Sequence, residues 1–427
     1  MKIDRRRFIR YAILGTAGAA AAGLGVKGMV DMLAPDKAAQ GPSDKRTPLK
    51  ARPAASVPPA RTTYRFAITE ALVEMVDHTP VYHWAFEDLD DPRGMPRMPG
   101  PLISGITGND INLSITNTLP DVHGFIIPGI AGTPGNGIQI EPGRTQTMSF
   151  PAPEAGSYMY FDPFNAPVNR VLGLHGPMVV LPASGNTPYS DPTPTVQKLF
   201  DDLGTAAHFP GEPWIPEHSR IWLFHSIDPR FNAMAERGEK IDATRFTDEF
   251  LPRYFTINGE SGAYASHNHN TVPHGRIGQP HLIRIMNTGM NADSPHIHGN
   301  HVYLLAKRLP SGVLHVQENV VLVDTFTDEV SQCMDWLLPF IRPPDIPGDE
   351  NIPLRRLIPT ELSLTLGGVG QSPLAYPMHG HNEQSQSAAG GNYPQGMVTG
   401  WEITGDVDGV DFPRSNPEEK GGPPEMH

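Results

Sequence analysis

Two short segments of the chain each carry a pair of histidines separated by one residue. His296 and His298 form the first pair, and His379 and His381 form the second. On a β-strand, residues two apart project from the same face, so both imidazoles of a pair could reach one metal ion. The two pairs therefore predict a metal site with three or four nitrogen ligands. Imidazole suits copper and zinc alike, so the ligand type leaves the metal open between these two.

Two carboxylates flank these pairs in the sequence. Asp293 lies just before the first pair, and Glu383 lies just after the second. Carboxylates in such positions can orient imidazoles or relay protons. Because charged side chains are mostly exposed, however, we expect both to be surface residues.

The composition favours strands and turns over long helices. The chain has 427 residues, of which 43 are Gly and 46 are Pro, and only 19% are charged. Frequent turns and few charged residues predict an all-β architecture. The single cysteine, Cys333, excludes a disulfide framework, a zinc site built from thiolates and an iron–sulfur cluster. With 18 histidines, imidazole is the expected metal ligand.

Charge is distributed unevenly along the chain. Residues 1–61 contain 12 Lys and Arg against 4 Asp and Glu, whereas the rest of the chain contains 21 against 42. The remainder therefore has a net charge of −21. Such an acidic body repels nucleic acid and anionic membranes, so neither is expected as a partner.

The N-terminus has the features of an export signal. Arg5 and Arg6 precede a weakly apolar run from Tyr11 to Val26, which at 16 residues is too short for a stable membrane span. This arrangement is similar to a twin-arginine signal peptide, which carries folded proteins across the membrane. We expect residues 1–39 to be this signal and a periplasmic or secreted location for the protein. The alternative is a basic disordered tail.

The body of the chain shows the alternation typical of half-buried strands. Tyr64, Phe66 and Ile68 alternate with other residues, and a second such run covers residues 111–115. Turn signals separate the runs, which predicts β-sandwiches or barrels. The predicted organisation places a Pro-rich linker at 40–61, one sandwich at 62–185, an inter-domain linker at 186–215, a second sandwich at 216–410 and a tail at 411–427. A Pro-rich insertion is expected around 336–358.

Several segments resemble the multicopper oxidases. The C-terminal half is similar to their last cupredoxin domain through residues 255–259, 283–287, 295–299 and 379–381, followed by Gly396 and Met397. The N-terminal half is similar to their first domain through residues 105–117, 140–143, 155–160 and 173–180. The resemblance implies two Greek-key cupredoxin sandwiches, copper as the cofactor and copper ligands where the first and last domains meet. It also implies that a homotrimer with copper between subunits is one candidate assembly.

The chain departs from the family at the blue-copper ligands. Ser294, Gly380 and Ser385 stand where the family has histidine, cysteine and histidine. Cys333 lies outside this ligand loop, and we expect it to be a buried apolar residue. Because a blue-copper site needs a thiolate, we expect none in this protein.

The family's N-terminal copper ligands are depleted as well. The resemblance makes His123 a candidate fifth ligand, contributed by one subunit to the histidine pairs of another in a trimer. His175 is an added histidine that is either a ligand or, as we expect, a hydrogen-bonded strand residue. His267, His269 and His274 lie in a Gly- and Asn-rich loop and are expected to be solvated.

Three classes of function remain. The leading hypothesis is an exported copper oxidoreductase with an all-histidine site, where a small-molecule substrate, and dioxygen as a further reactant, would contact the metal. The second is a non-catalytic protein that stores, delivers or is stabilised by copper or zinc. The third is a copper-free cell-envelope scaffold. The scaffold is disfavoured, because four convergent imidazoles without a metal cost about 1–3 kcal/mol for each unsatisfied buried polar group.

Overall fold

The fold is dominated by β-strands. The computed structural model describes residues 60–92, 95–130, 136–205, 211–341, 374–407, 409 and 411. Strands make up 43% and helices 12%, which confirms the predicted all-β class. Tyr64, Phe66 and Ile68 are fully buried, as their alternation predicts. Among the described residues, no helix has the length and apolar character needed to cross a membrane.

The first sandwich covers the predicted N-terminal domain. Its described strands are β1 (Thr63–Glu74), β2 (Pro80–Asp88), β3 (Ile103–Ile106), β4 (Asp110–Asn117), β5 (His123–Phe125), β6 (Ile138–Ile140), β7 (Thr145–Pro151), β8 (Gly156–Phe161) and β9 (His175–Leu181), with the short helix α1 (Val168–Val171). They form one sheet in the order β2-β1-β4-β7, a second in the order β3-β9-β8 and the small pair β5-β6.

The second sandwich is larger. Its described strands are β10 (Ser219–Ile227), β11 (Tyr254–Ile257), β12 (His274–Arg276), β13 (His281–Asn287), β14 (Pro295–Ile297), β15 (Val302–Arg308), β16 (Leu314–Val323), β17 (Cys333–Leu338), β18 (Leu374–Gly380) and β19 (Val398–Gly405). They form sheets in the orders β11-β10-β13-β17-β15-β16 and β12-β19-β18-β14. The histidine pairs therefore lie at the β18–β14 edge of the smaller sheet.

Short helices lie in the segments that connect the strands. Those after α1 are α2 (Pro194–Asp202), α3 (Pro229–Glu236), α4 (Ala243–Glu249) and α5 (Gly262–Ser266), and a 3₁₀ helix spans Glu383–Gln386. Helix α2 belongs to the predicted inter-domain linker. Its Leu199 and Phe200 pack with Leu282 and Leu337 of the larger sheet. The segment between the sandwiches is thus a packed layer on the second domain.

The two sandwiches repeat one arrangement of strands. In the first, parallel β1 and β4 lie between antiparallel β2 and β7; in the second, parallel β10 and β13 lie between antiparallel β11 and β17. Asn117 ends β4, and Asn287 ends β13. Each side-chain amide donates to the carbonyl four residues later, and each side-chain oxygen accepts from the backbone N–H two residues later. These asparagines align the two repeats residue by residue.

The first residues of the insertion predicted around 336–358 belong to a strand. Trp336 and Leu338 belong to β17 and are fully buried, because their side chains fill the core of the second sandwich. Residues 342–358 lie outside the described residues, as do the predicted signal, nearly all of the Pro-rich linker and the tail apart from Asp411.

Candidate metal centre

Strands β14 and β18 bring the two histidine pairs to one face of the sheet. They pair antiparallel, with His296 directly opposite His379. His298 and His381 lie two residues further along the chain, directly after β14 and β18, and continue the alternation onto the same face. The backbone N–H of His381 donates to the carbonyl of Ser294, at 2.8 Å, and extends the pairing past the end of β18. The predicted convergence of both pairs is therefore what the strand register produces.

Three of these rings present nitrogens close enough to share one metal ion. One ring nitrogen from each of His296, His298 and His379 lies within 4.8 Å of the other two. The Nε2 atoms of His298 and His379 are 3.2 Å apart. The ring centre of His381 is 5.3 Å from that of His296, so this fourth imidazole borders the cluster. We call these four residues the histidine quartet.

Hydrogen bonds orient two rings of the quartet. The Nδ1–H of His296 faces Thr325 Oγ1 at 2.6 Å and the carbonyl of Asp324 at 3.2 Å. The Nδ1–H of His379 donates to the carbonyl of Gly380 at 3.0 Å. Because each Nδ1 carries the proton, each Nε2 is unprotonated and its lone pair can bind a metal ion, as in metal sites where outer groups fix the tautomer. Nothing in the sequence pattern marked Thr325, since it acts through a strand contact some 30 residues away in the chain.

The electrostatics of the quartet favour neutral imidazoles. Burial lowers the pKa of His296, although Asp324 opposes this shift. Burial is also the main cause of the lowered pKa of His298, followed by repulsion from His296 and His379. Neutral imidazole is the form that binds metal. His298 and His381 are exposed, so the cluster opens toward solvent on one side.

The positions that resemble blue-copper ligands also lie close to one another. A Cβ built on Gly380 would be 2.2 Å from Ser385 Oγ and 3.5 Å from Met397 Sδ. The hydroxyl of Ser385 thus occupies the space that a side chain at position 380 would need. Ser294 Oγ lies 3.0 Å from Thr327 Oγ1, in a contact between two hydroxyls. These positions hold hydroxyls and a glycine in place of imidazoles and a thiolate.

Cys333 lies away from this loop, as expected. It is 3% exposed and packs with Met159, Val179, Leu223 and Met286 between the two sandwiches. Burial raises the pKa of its thiol well above the ordinary value. The thiol is therefore a neutral core group.

His123 is not brought to the quartet within the chain. It is buried in the first sandwich, and its Nδ1–H donates to Asp162 Oδ2 at 2.8 Å. Its Nε2 is enclosed and has no hydrogen-bond partner among the residues that the structure describes. By the alignment of the repeats, His123 matches Asp293, because each lies six residues after its asparagine. Whether it becomes a ligand in an assembly stays a prediction.

His175 is a buried strand histidine. Its Nδ1–H donates to the carbonyl of Arg170 at 2.8 Å, and its ring lies 4.4 Å from that of His225 between centres. Burial lowers the pKa of His175 to about 3 and that of nearby His83 to about 4. We did not anticipate His83 and His225, since neither belongs to a motif. All three rings are neutral and lie where the sandwiches meet.

The remaining candidates divide between surface and core. His267, His269 and Glu383 are exposed, as expected, and His274 is half-buried. The expectation for Asp293 was wrong: it is 2% exposed. The reason is that it pairs with Asp328 across a strand bridge, which places its side chain inside the sandwich.

Comparison with known proteins finds one family model that matches part of the chain. Residues 96–185 match the family model Cu-oxidase_3, described as multicopper oxidase. This part of the chain is similar to the multicopper oxidases. No curated protein matches its sequence.

Solved structures of multicopper oxidases and related copper enzymes share its fold. A blue copper oxidase from Nitrosomonas europaea is 18% identical, with a TM-score of 0.56 over 80% of this chain and 85% of that one. The multicopper oxidase mgLAC is 18% identical, with a TM-score of 0.56 over 84% and 91%. A copper nitrite reductase from Nitrosomonas europaea is 13% identical, with a TM-score of 0.50 over 80% and 93%. Both sandwiches are cupredoxin-like.

Copper is the cofactor that the matched multicopper oxidase model and the copper enzymes of similar fold indicate. The donor set of the quartet fits it, because imidazole nitrogens bind copper in either of its common oxidation states. The unprotonated Nε2 atoms of His296 and His379, the latter 3.2 Å from Nε2 of His298, supply an observation from the structure itself. Among the described residues, the quartet is the place where three ring nitrogens converge.

Proposed function

We propose that this protein is an exported copper-binding oxidoreductase whose copper is held by His296, His298, His379 and His381. The observation that carries the proposal is the approach of three ring nitrogens within 4.8 Å on one sheet face. When bound, copper supplies one-electron chemistry by alternating between its cuprous and cupric states. The match of residues 96–185 to the multicopper oxidase model supports the oxidoreductase class.

The proposed site lacks a blue copper. A thiolate is required for such a centre, and Gly380 stands at the position that resembles the cysteine ligand. The buried thiol of Cys333 lies between the sandwiches and is protonated. The proposal therefore excludes a separate entry point for electrons, and substrate would meet the metal directly.

The chain's own residues define how a substrate would approach. Thr325 and the carbonyl of Gly380 accept hydrogen bonds from the Nδ1–H groups of His296 and His379. The exposed His298 and His381 border the side of the site that is open to solvent. A small molecule, dioxygen included, can reach the metal position from that side without a change in the fold. Asp324, whose side chain is 49% exposed, adds a negative charge beside His296.

A second candidate function is metal binding without turnover. The exposure of the quartet favours it, because an open site exchanges metal more readily than a closed one and does not exclude water from a reaction. A copper-free scaffold is disfavoured, since the strand register holds four imidazoles on one face.

Copper titration tests the site. Purified protein folded with copper should contain about one cupric ion, with nitrogen hyperfine structure in electron paramagnetic resonance and no intense blue absorption. The double variant His379→Ala/His381→Ala should lose this signal. The matched control His267→Ala/His269→Ala removes two exposed histidines elsewhere and should keep it. Full copper binding by the first variant would overturn the assignment.

Oxygen uptake separates the two candidate functions. Copper-loaded protein is mixed with ascorbate as a general reductant, and dioxygen consumption is followed with an electrode. Turnover above that of the His379→Ala/His381→Ala variant supports the oxidoreductase. Stoichiometric copper binding without such turnover supports storage or delivery.

Location and assembly are part of the proposal. We propose export by the twin-arginine pathway on the basis of Arg5 and Arg6. The variant Arg5→Lys/Arg6→Lys should then accumulate in the cytoplasm. A homotrimer with His123 near the quartet of a neighbouring subunit is tested by sedimentation of the mature protein. In that assembly His123→Ala would weaken copper binding, whereas a monomer would contradict it.

A further inference from the structure

Two buried carboxyl groups lie side by side next to the proposed copper site. Asp293 and Asp328 face each other across an antiparallel bridge. The backbone N–H of each donates to the carbonyl of the other, at 3.0 and 2.7 Å. In this type of pair both side chains project from the same face, with their Cα atoms about 5.5 Å apart. The two carboxyl groups are therefore neighbours.

Within the described part of the chain, neither carboxyl group has a hydrogen-bonded partner. Asp328 is completely buried, and neither of its carboxyl oxygens has a hydrogen bond to another of the described residues. Oδ1 of Asp293 is likewise buried and unpaired. Two ionised carboxylates in this environment would repel each other without compensation, and such an arrangement is strongly unfavourable. One proton shared by the pair removes most of that cost.

The charged and titratable groups around the pair do not neutralise it. Lys307 on β15 attracts Asp328, but Glu329 next to it repels, and the Cys333 thiol on β17 is protonated. Burial, and then the charge of Asp293, raises the pKa of Asp328 well above its usual value. Burial raises the pKa of Asp293 to about 7.

The internal repeat shows that the fold does not need a carboxyl group here. Asp293 aligns with His123, and Asp328 aligns with Ile140, since each pair bridges its strands in the same register. Ile140 is fully buried and belongs to the core of the first sandwich. The second sandwich thus has a carboxyl group where an aliphatic side chain fills the same place.

The segment that carries Asp328 also orients a proposed copper ligand. Three residues before Asp328, Thr325 bridges His296 and accepts from its Nδ1–H. The carbonyl of Asp324 accepts from the backbone N–H of Ile297, at 2.9 Å. The bridge between Asp293 and Asp328 is the other end of this short pairing. Separation at one end would move Thr325 away from His296.

We propose that Asp293 and Asp328 form a buried carboxyl pair that holds one proton and thereby keeps residues 324–328 paired with β14, where His296 is positioned. Loss of the proton at alkaline pH places two negative charges side by side, which opens the bridge and loosens the ring of His296. The positioning role rests on the proposed copper site, whereas the proton-holding role does not.

The first measurement uses metal-free protein. Thermal unfolding is recorded across pH for the wild type, for Asp328→Asn, which keeps the shape without a titrating group, and for Glu329→Gln, which removes an exposed neighbouring charge. A carboxyl group with a raised pKa stabilises the fold at low pH, and this stabilisation is lost as pH rises through the folded pKa. The wild type should therefore lose stability relative to Asp328→Asn from about pH 4 upward, whereas Glu329→Gln should follow the wild type. The double variant Asp293→Asn/Asp328→Asn provides the same comparison if the single variant does not fold.

The second measurement is the affinity for cupric ion as a function of pH. In the wild type, affinity should fall about tenfold at alkaline pH, the size of effect seen when groups that orient a ligand are disturbed. In Asp328→Asn it should stay level. Coincident stability profiles of wild type and Asp328→Asn would overturn the shared proton. If the two proteins differ in the pH dependence of stability but not in that of copper affinity, the carboxyl pair does not position His296. If no variant binds copper, the proposed function is refuted. The stability profiles of the metal-free proteins would still test whether Asp293 and Asp328 share a proton.

Discussion

His296 faces His379 across strands β14 and β18, at the place where Ile126 faces Phe161 in the first sandwich. Both contacts lie three residues beyond the aligned His123 and Asp293 positions. The same backbone arrangement thus supports an apolar contact in one domain and a pair of imidazoles in the other. The proposed copper site therefore differs from the equivalent place in the first sandwich in its side chains and not in its strand pairing.

Removal of the hydroxyl behind His296 should weaken copper binding. Thr325→Val keeps the shape of the side chain but leaves the Nδ1–H of His296 with only the longer contact to the carbonyl of Asp324. We expect the affinity for cupric ion to fall about tenfold, which is typical of lost outer hydrogen bonds. A competition titration with a chelator measures it. Thr327→Val changes a nearby exposed hydroxyl and should leave the affinity unchanged; equal losses in both variants would contradict the role of Thr325.

Gly380 should tolerate no side chain while Ser385 keeps its hydroxyl. The Cβ of Gly380→Ala would lie 2.2 Å from Ser385 Oγ but 3.3 Å from Ser385 Cβ. We expect Gly380→Ala to lower the free energy of unfolding by about 1–3 kcal/mol. In the double variant Gly380→Ala/Ser385→Ala, the loss should be smaller than the sum of the single losses. Denaturant unfolding of the four proteins gives this coupling, and strict additivity would refute the steric explanation.

The buried carboxylate of the first sandwich should be important for stability. Asp162 accepts from His123 Nδ1, from the side-chain amide of Asn169 and from the backbone N–H of Phe164. Asp162→Ala leaves these buried donors unpaired, so we expect a loss of about 3–5 kcal/mol in the free energy of unfolding. Asp121→Ala, an exposed aspartate nearby, should change it by less than about 0.5 kcal/mol. Comparable denaturation midpoints for the two variants would show that this network is dispensable.

Acid should destabilise the fold through the buried histidines. Burial lowers the pKa of His83 to about 4 and that of His175 to about 3. Below about pH 6.5 these histidines bind protons in the unfolded chain but stay neutral in the folded protein, so stability falls as pH decreases. Each ring contributes about 1.4 kcal/mol per pH unit over this range. His175→Gln should reduce the slope of unfolding free energy against pH between about 4 and 6.5, whereas exposed His269→Gln should leave it unchanged.

The sequence predicted the elements of the fold and the convergence of four histidines, because both follow from local periodicity. Alternation around Tyr64 marks a strand, and His-x-His places two rings on one face whatever the partner strand is. The register that puts His296 opposite His379 joins residues 83 positions apart, and no local pattern encodes it.

The buried acid could not be predicted for a related reason. Asp293 carries a charge in the unfolded chain, and its burial depends on a bridge to Asp328 that appears only after two loops meet. Local propensity treats an aspartate as exposed. The internal repeat was hidden as well, since it is a repeat of register and of two asparagine hydrogen-bond patterns, with little shared sequence.

The position of Cys333 makes its thiol a natural probe of the contact region between the two sandwiches. The only thiol of the chain is enclosed by Met159 and Val179 from one sandwich and by Leu223 and Met286 from the other. Because the thiol is 3% exposed, a bulky thiol reagent reacts with it faster when this packing opens. The rate of alkylation therefore reports how often the contact region of the two sandwiches opens, without any engineered label.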